Sequence, residues 1–266
     1  MKKNILKILV TIFLSFTQFS VVSCNVDEMI EDDGFVFEIY ENNDGKFCCL
    51  SRYEGHETNV IIPDTYEGVS VTEINSYAFV NCNTVESVII PNSVKQIGNL
   101  AFRECQSLKY ISIPNSVEYV GEGAIESCFS LIYNEYKEGL YLGNDTNPYL
   151  LLMETANKTI TTFKANDNTR FIQQNAFYEC SLLEHMEIPN GVTNIGNGTF
   201  YNCSSLKSLI IPNSITAINF SAFFGCSSLE TIYYTGTKDQ WDAININEDE
   251  NESLKAATIV YDYVKE

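Results

Sequence analysis

Residues 90–117, IPNSVKQIGNLAFRECQSLKYISIPNSV, end on the five residues with which they begin. Ile-Pro-Asn-Ser-Val occurs at Ile90 and again 23 residues later at Ile113, and a near copy begins at Ile211. A fixed interval of this length indicates a repeat architecture, in which one small structural unit is stacked several times. The stretch therefore predicts a solenoid and not a globule with one central core.

A shift of the sequence by 23 residues aligns three columns of similar residues. The first is aromatic or aliphatic, the second is cysteine and the third is proline. Their members are Phe79, Phe102, Ile125, Phe177, Phe200 and Phe223; Cys82, Cys105, Cys128, Cys180, Cys203 and Cys226; and Pro91, Pro114, Pro189 and Pro212. One coil of this size cannot bury its own apolar residues, so the coils are expected to stack on a continuous core.

Within a coil, the apolar spacing changes from that of a strand to that of a helix. Apolar and polar residues alternate over 110–113, which is typical of a strand with one buried face. Ala101, Phe102 and Cys105 have the spacing of about one helical turn. The predicted fold class is therefore an α/β repeat solenoid, with a parallel β-sheet on one face and short helical turns on the other.

A further column contains only glycine and asparagine, residues that tolerate a positive φ. We expect a left-handed bend there, between a short second strand and the helical turn. Gln173 takes the same position in one coil, which leaves its bend in doubt. The column consists of Asn75, Gly98, Gly121, Gly196 and Asn219.

With its I-P-x-S-V and A-F-x-x-C signatures, the sequence resembles the BspA-like branch of the leucine-rich repeat proteins over residues 35–265. The resemblance implies an exported bacterial surface protein without a catalytic step or a cofactor. BspA-like members are adhesins for host matrix and plasma proteins and for other cells. The implied partner is thus a protein or another cell-surface macromolecule, and a structural spacer without a ligand is the alternative.

Residues 35–266 are expected to form a single solenoid with a cap at each end. Residues 35–55 have the pattern of an N-terminal β-hairpin that turns at Asn-Asp-Gly. Residues 234–266 resemble the closing segment of the family, in which Thr237 would cap a helix and Trp241 would cover Phe223.

Residues 132–170 carry neither signature. One interpretation is an irregular coil that only sustains the stack. The other is a projecting, Tyr-rich island that contacts a partner, and a glycan-binding or hydrolytic module would have to use it.

Residues 1–23 have the pattern of a signal peptide, with three lysines before a mostly apolar run. Val-Val-Ser-Cys at 21–24 resembles a lipobox, which would place a lipid on Cys24; ordinary signal peptidase is the alternative. Residues 24–34 form an acidic tether. We expect an outer-membrane or cell-surface lipoprotein that touches the membrane only through this anchor, or else a periplasmic or secreted protein.

The charge balance excludes nucleic acid as a partner. Sixteen basic and 35 acidic residues give a net charge of −19, which repels a phosphate backbone. Removal of residues 1–23 deletes three lysines and no acidic residue, so the charge becomes −22.

The cysteine and histidine patterns predict neither catalysis nor a metal site. Six of the nine cysteines fall in the inward column, where stacked side chains have unsuitable dihedral angles for disulfides, so free thiols are expected. There is no C-x₂-C pair or Cys/His cluster. His56 and His185 are the only histidines, and no column cysteine shares the strand face of His185.

The outward positions of the predicted strands form the candidate binding surface. They mix aromatic, hydroxyl and aliphatic side chains with little charge, which favours a protein-binding surface. The twelve residues are Asn59, Ile61, Ser87, Ile89, Tyr110, Ser112, His185, Glu187, Ser208, Ile210, Thr231 and Tyr233.

Overall fold

The computed structural model describes residues 29–30, 33–42 and 45–265. The predicted signal peptide, Cys24 and most of the acidic tether lie outside these residues. So do Asn43 and Asp44, at the predicted turn of the N-terminal hairpin.

Short strands dominate the secondary structure. The first part contains β1 Met29–Ile30, β2 Phe35–Asn42, β3 Gly45–Tyr53, β4 Asn59–Ile61, β5 Thr65–Tyr66, β6 Val69–Ile74, β7 Ser87–Ile89, β8 Gln96–Ile97, β9 Tyr110–Ser112 and β10 Tyr119–Val120. The middle contains β11 Asn134–Tyr136, β12 Gly139–Leu142, β13 Leu151–Thr155, β14 Thr162–Lys164 and β15 Phe171–Ile172. The last part contains β16 His185–Glu187, β17 Asn194–Ile195, β18 Ser208–Ile211, β19 Ala217–Ile218, β20 Thr231–Tyr234, α1 Lys238–Asp242, β21 Asn245–Ile246, α2 Glu252–Ala256 and β22 Thr258–Val260.

The first strand of each regular coil joins a parallel ladder, as the sequence predicts, and we call it the first ladder. The ladder is divided into two sheets, β4-β7-β9 and β14-β16-β18-β20-β22. Ser87 pairs with Tyr110, and Ser208 with Thr231. Residues one repeat apart therefore lie side by side, which is why the sequence columns are nearly invariant.

A second ladder runs along another side of the coils. Its strands form the series β3-β6-β8-β10, β13-β15 and β17-β19-β21. Within the described residues, no ladder joins β10 to β13 or β15 to β17. The second ladder thus has two interruptions, which we call the seams.

The third side consists of turns, so the α/β description is not confirmed and the fold is a β-solenoid. Val80 N donates to Tyr77 O at 3.0 Å within its own coil, whereas Phe79 N donates to Ala101 O of the next coil at 2.7 Å. A continuous helix would use both N–H groups locally. Here alternate N–H groups join the coils instead, and residues with positive φ, such as Tyr77, interrupt the helix.

The aromatic column forms a buried stack. Phe79 and Phe102 lie with ring centroids 4.8 Å apart, and Phe200 stacks on Phe177 at 5.4 Å and on Phe223 at 5.3 Å. All five rings are fully buried. The stack carries apolar burial from one coil to the next.

The glycine and asparagine column does not form the predicted left-handed bend. None of its five members has a positive φ; that conformation comes two residues later, for example at Leu100. Glycine is required for a different reason, because a Cβ at Gly98 would lie 2.4 Å from Ser76 N and one at Gly121 would lie 2.5 Å from Asn99 N. Because neighbouring coils approach each other closely at Gly98 and Gly121, only a residue without a Cβ fits there.

Residues 132–170 contribute to the core. They contain the antiparallel series β11-β12-β13, and β13 then pairs in parallel with β15. Leu151 packs in one apolar cluster, which extends back to Phe35, whereas Leu152 packs in a second, which extends to Leu254. The segment therefore separates two cores.

The two ends differ in construction. β2 and β3 pair antiparallel, and β3 starts the second ladder through β6. At the other end, Thr237 caps α1 in a capping box, as predicted. Trp241 packs against Tyr234, with centroids 5.1 Å apart, while the N–H of Phe223 is bound by Asn251 Oδ1 at 2.9 Å. Among the described residues, neither helix is long and apolar enough to span a bilayer.

Candidate functional site

All twelve predicted residues occupy outward positions of the first ladder, and none is buried. The structure divides them into two surfaces, because the sheet is divided. The N-terminal ribbon comprises Asn59, Ile61, Ser87, Ile89, Tyr110 and Ser112, on β4, β7 and β9. The C-terminal ribbon comprises His185, Glu187, Ser208, Ile210, Thr231 and Tyr233, on β16, β18 and β20.

The N-terminal ribbon is the more apolar and the more open of the two. Ile61 is 68% exposed, Ile89 43% and Tyr110 45%. Ile61 pairs in register with Ile89, so their side chains lie in one row. Beside them, Ser87 Oγ donates to Asn59 Oδ1 at 2.7 Å. The result is an apolar row with a hydrogen-bonded polar margin.

The C-terminal ribbon is more polar. His185 Nδ1 lies 2.8 Å from Ser208 Oγ, and its Nε2 lies 4.0 Å from a carboxylate oxygen of Glu184. Lys207 also binds Glu184, and this ammonium lowers the pKa of the Glu184 carboxyl. The row resembles a Ser-His-Glu arrangement, but it lies on an exposed strand surface, and the carboxylate is already paired with Lys207.

Residues 261–265, which we call the C-terminal segment, lie against the C-terminal ribbon. The Tyr263 ring is 4.8 Å from that of Tyr233, and Lys265 forms an ion pair with Glu187. The N–H of Tyr263 donates to Tyr234 O at 3.0 Å. Two of the predicted binding residues are thus engaged by the chain itself, a contact for which the sequence carries no periodic signal.

The first ladder is longer than predicted. Thr162 and Lys164 extend it before His185, and Thr258 and Val260 extend it after Thr231. The sequence contains a signal for the extension by β14, because Ile160 stands 23 residues, one repeat, before Leu183. Asn166 obscured it, since that residue stands in the column of Pro91, Pro114, Pro189 and Pro212.

The cysteine column forms structural hydrogen bonds. Cys105 Sγ donates to Phe79 O at 3.0 Å, and Cys226 Sγ donates to Phe200 O at 3.0 Å. All eight described cysteines are free thiols, as predicted. Burial raises the pKa of Cys180 to about 11 and that of Cys226 to about 12, so both thiols are protonated at neutral pH.

Titratable residues do not assemble into a recognisable reaction centre in the part of the chain that the structure covers. No group of three or more His, Cys, Asp or Glu residues there could hold a metal ion. The absence of catalysis, cofactor and metal remains a prediction.

Comparison with known proteins identifies the repeat. The family model of the BspA type leucine rich repeat region matches residues 58–145 and 155–258 in six copies. Among solved structures, a leucine rich repeat protein of T. pallidum is 25% identical over 73% of this chain and 87% of its own, with a TM-score of 0.44.

Two further solved structures are similar to this chain. One is a leucine-rich repeat protein of Bacteroides ovatus, with 21% identity over 92% of this chain and 71% of its own, and a TM-score of 0.37. The other is a leucine rich cell surface protein of Faecalibacterium prausnitzii, with 18% identity over 81% and 97% and a TM-score of 0.31. No curated protein matches the chain.

Proposed function

The chain belongs to the BspA type leucine-rich repeat family, and from this premise we propose that it is an exported, non-catalytic protein that binds another protein through the N-terminal ribbon. The supporting observation is the exposed row of Ile61 and Ile89, with the exposed Tyr110 beside it in register with Ser87, on three paired strands. Adhesion to a host or cell-surface protein is the form of binding that we propose.

The composition and accessibility of these three side chains suit a protein interface. Aromatic and aliphatic side chains at the centre of a surface with a polar margin are typical of protein interfaces. The rim carries balanced charges, since Lys109 binds Glu86 at 2.9 Å. The C-terminal ribbon offers less free apolar surface, because Tyr233 already contacts the C-terminal segment.

We further propose that a lipid on Cys24 holds the protein at the outer membrane or cell surface, with residues 24–34 as the spacer. Mass spectrometry of the mature N-terminus tests this separately: an acylated Cys24 supports the anchor, and a free amine on that residue overturns it.

Binding is tested with the chain from Cys24 onward, immobilised and exposed to purified extracellular-matrix proteins and to intact cells. We expect the triple variant Ile61→Ser, Ile89→Ser, Tyr110→Ser to weaken binding by at least about tenfold, since buried aromatic and aliphatic anchors carry most of the energy of an interface.

The matched control is the variant Thr231→Ala with Ile210→Ser, which changes the C-terminal ribbon on the same ladder. It should retain the affinity of the unmodified chain. The proposal is overturned if no probe binds, which favours the spacer, or if the triple variant binds as well as the unmodified chain.

A further inference from the structure

A polar groove lies at the two seams of the second ladder, away from both ribbons. Its volume is about 110 Å³, and β10, β13, β15 and β17, the four strands that flank the seams, all contribute to its lining. The backbone groups at the open edges of these strands are not joined by a ladder. The groove is thus a consequence of the irregular coil between the two cores.

Aromatic and aliphatic side chains form one part of the groove. Leu151 pairs in register with Phe171 and is only 1% exposed, so it lies deep. Phe171 is half-buried, and Tyr119 is 48% exposed. The Tyr119 hydroxyl donates a long hydrogen bond to Asn99 Oδ1 at 3.4 Å. An apolar floor and two accessible rings therefore occur together.

Side-chain amides form the other part. They offer both donors and acceptors at close spacing. The Oδ1 atom of Asn194 is buried and has no hydrogen-bond partner within the described residues. Such an atom costs free energy unless a water or a ligand satisfies it. The amide residues that line the groove are Asn99, Gln173, Gln174, Asn194, Asn197 and Asn219.

The lining also contains one residue of each charge. Glu122 accepts a hydrogen bond from the amide of Asn197. Arg170 donates through Nη1 to Asn115 O at 2.7 Å, and its guanidinium carbon lies 5.4 Å from the centre of the Phe171 ring. The groove therefore carries no excess of either charge, although the whole chain is strongly acidic.

We infer that this groove binds one ring of a neutral saccharide. A sugar ring has an apolar C–H face, which suits Tyr119 and Phe171, and hydroxyl groups, which suit the dense set of amides. The net charge of −19 disfavours acidic sugars. The volume is well below the roughly 300–1,000 Å³ of pockets for drug-sized ligands, and it suits one partly inserted ring.

The inference is tested by saturation-transfer NMR and calorimetry on the full chain. The probes are galactose, mannose, N-acetylglucosamine and their neutral trisaccharides. We expect one probe to bind with a dissociation constant of about 1 mM or tighter. Tyr119→Ala and Asn194→Ala should each weaken that binding by at least about tenfold.

Two controls separate this site from other effects. The ribbon variant Tyr110→Ala removes an exposed tyrosine elsewhere and should leave saccharide affinity unchanged. Thermal melts establish that Tyr119→Ala and Asn194→Ala remain folded, and Tyr119→Phe, which keeps the ring, should retain most of the affinity.

The inference is overturned if no probe binds to the unmodified chain, or if both groove variants bind as well as it does. Loss of protein binding in the ribbon triple variant has no bearing on this outcome, because the two surfaces share no residue.

Discussion

The N-terminal and C-terminal halves of the molecule carry the same inward side chains and different outward ones. Phe79 stacks on Phe102 in one half, and Phe177 stacks on Phe200 in the other, at 4.8 and 5.4 Å. Outside, the first half presents an exposed isoleucine row, whereas the second presents charged and hydroxyl groups and a bound C-terminal segment.

The difference shows which positions the stack constrains. An inward side chain must fit the same residue of two neighbouring coils, so its size and polarity are fixed by packing. An outward side chain, such as Ile89 or Glu187, contacts only its ladder neighbours and solvent. Surface recognition can therefore change while the fold stays the same.

The largest expected effect comes from breaking the stack in one half at a time. We expect Phe102→Ala and Phe200→Ala each to lower the free energy of unfolding by about 3–5 kcal/mol, since each ring is fully buried and leaves a cavity. Urea denaturation followed by circular dichroism gives the free energies. Hydrogen exchange should show faster opening mainly in the half that carries the change, because residues 132–170 separate the two cores.

Tyr110→Ala is the control for the stack variants, since its ring lies on the surface; it should change stability by no more than about 0.5 kcal/mol. A loss below about 1 kcal/mol for Phe102→Ala would contradict the structural role of the aromatic column.

An intermediate effect is expected from alkaline pH. Burial raises the pKa of the Cys180 and Cys226 thiols in the folded chain to about 11 and about 12, respectively. An exposed thiol has a pKa of about 8.5. The unfolded chain therefore loses protons first. Stability should be insensitive to these thiols below about pH 8 and should fall above it, by about 1.4 kcal/mol per pH unit for each such thiol.

The measurement is urea denaturation between pH 7 and 10.5, in the presence of a reducing agent. Cys226→Ala removes one titrating group from the C-terminal half, so its stability should fall less steeply with pH. Equal pH dependence in the variant and the unmodified chain would show that this thiol ionises alike in both states.

The smallest effect concerns the C-terminal segment. Lys265→Ala removes the ion pair with Glu187, and because Lys265 is exposed and Glu187 is partly exposed, we expect no loss of stability that denaturation would resolve. Hydrogen exchange at the Tyr263 amide should nevertheless become faster, since this N–H is bonded to Tyr234 O. Lys238→Ala, which removes the exposed pair with Asp242, is the control; faster exchange at Tyr263 in that variant as well would argue against a local contact.

The sequence predicts the features that repeat with a constant offset. The parallel pairing of Ser87 with Tyr110, the burial of Phe102 and the exposure of Ile61 all follow from a column and its periodicity. The free thiol of Cys105 follows as well, because its column neighbours face the same interior. Repetition converts these local patterns into a three-dimensional arrangement.

The remaining features depend on contacts that no local pattern specifies. The spacing of Ala101 and Phe102 suits a helix, but hydrogen bonds to the next coil favour turns, with Leu100 in the left-handed region. Glycine is needed at position 98 because the backbone of the neighbouring coil lies close to it, and not because of its own φ. The contact of Tyr263 with Tyr233 forms only after the chain folds back, so neither residue signals it in the sequence.

The unlinked thiols have a consequence for how such a molecule changes over generations. Since the eight described cysteines form no cross-links, and strands of successive regular coils pair with a constant offset, an in-frame duplication that encodes one coil would add a layer whose contacts match those on either side. No disulfide partner would have to be reassigned. The height of the stack can therefore vary in whole steps, independently of the chemistry displayed on its surface.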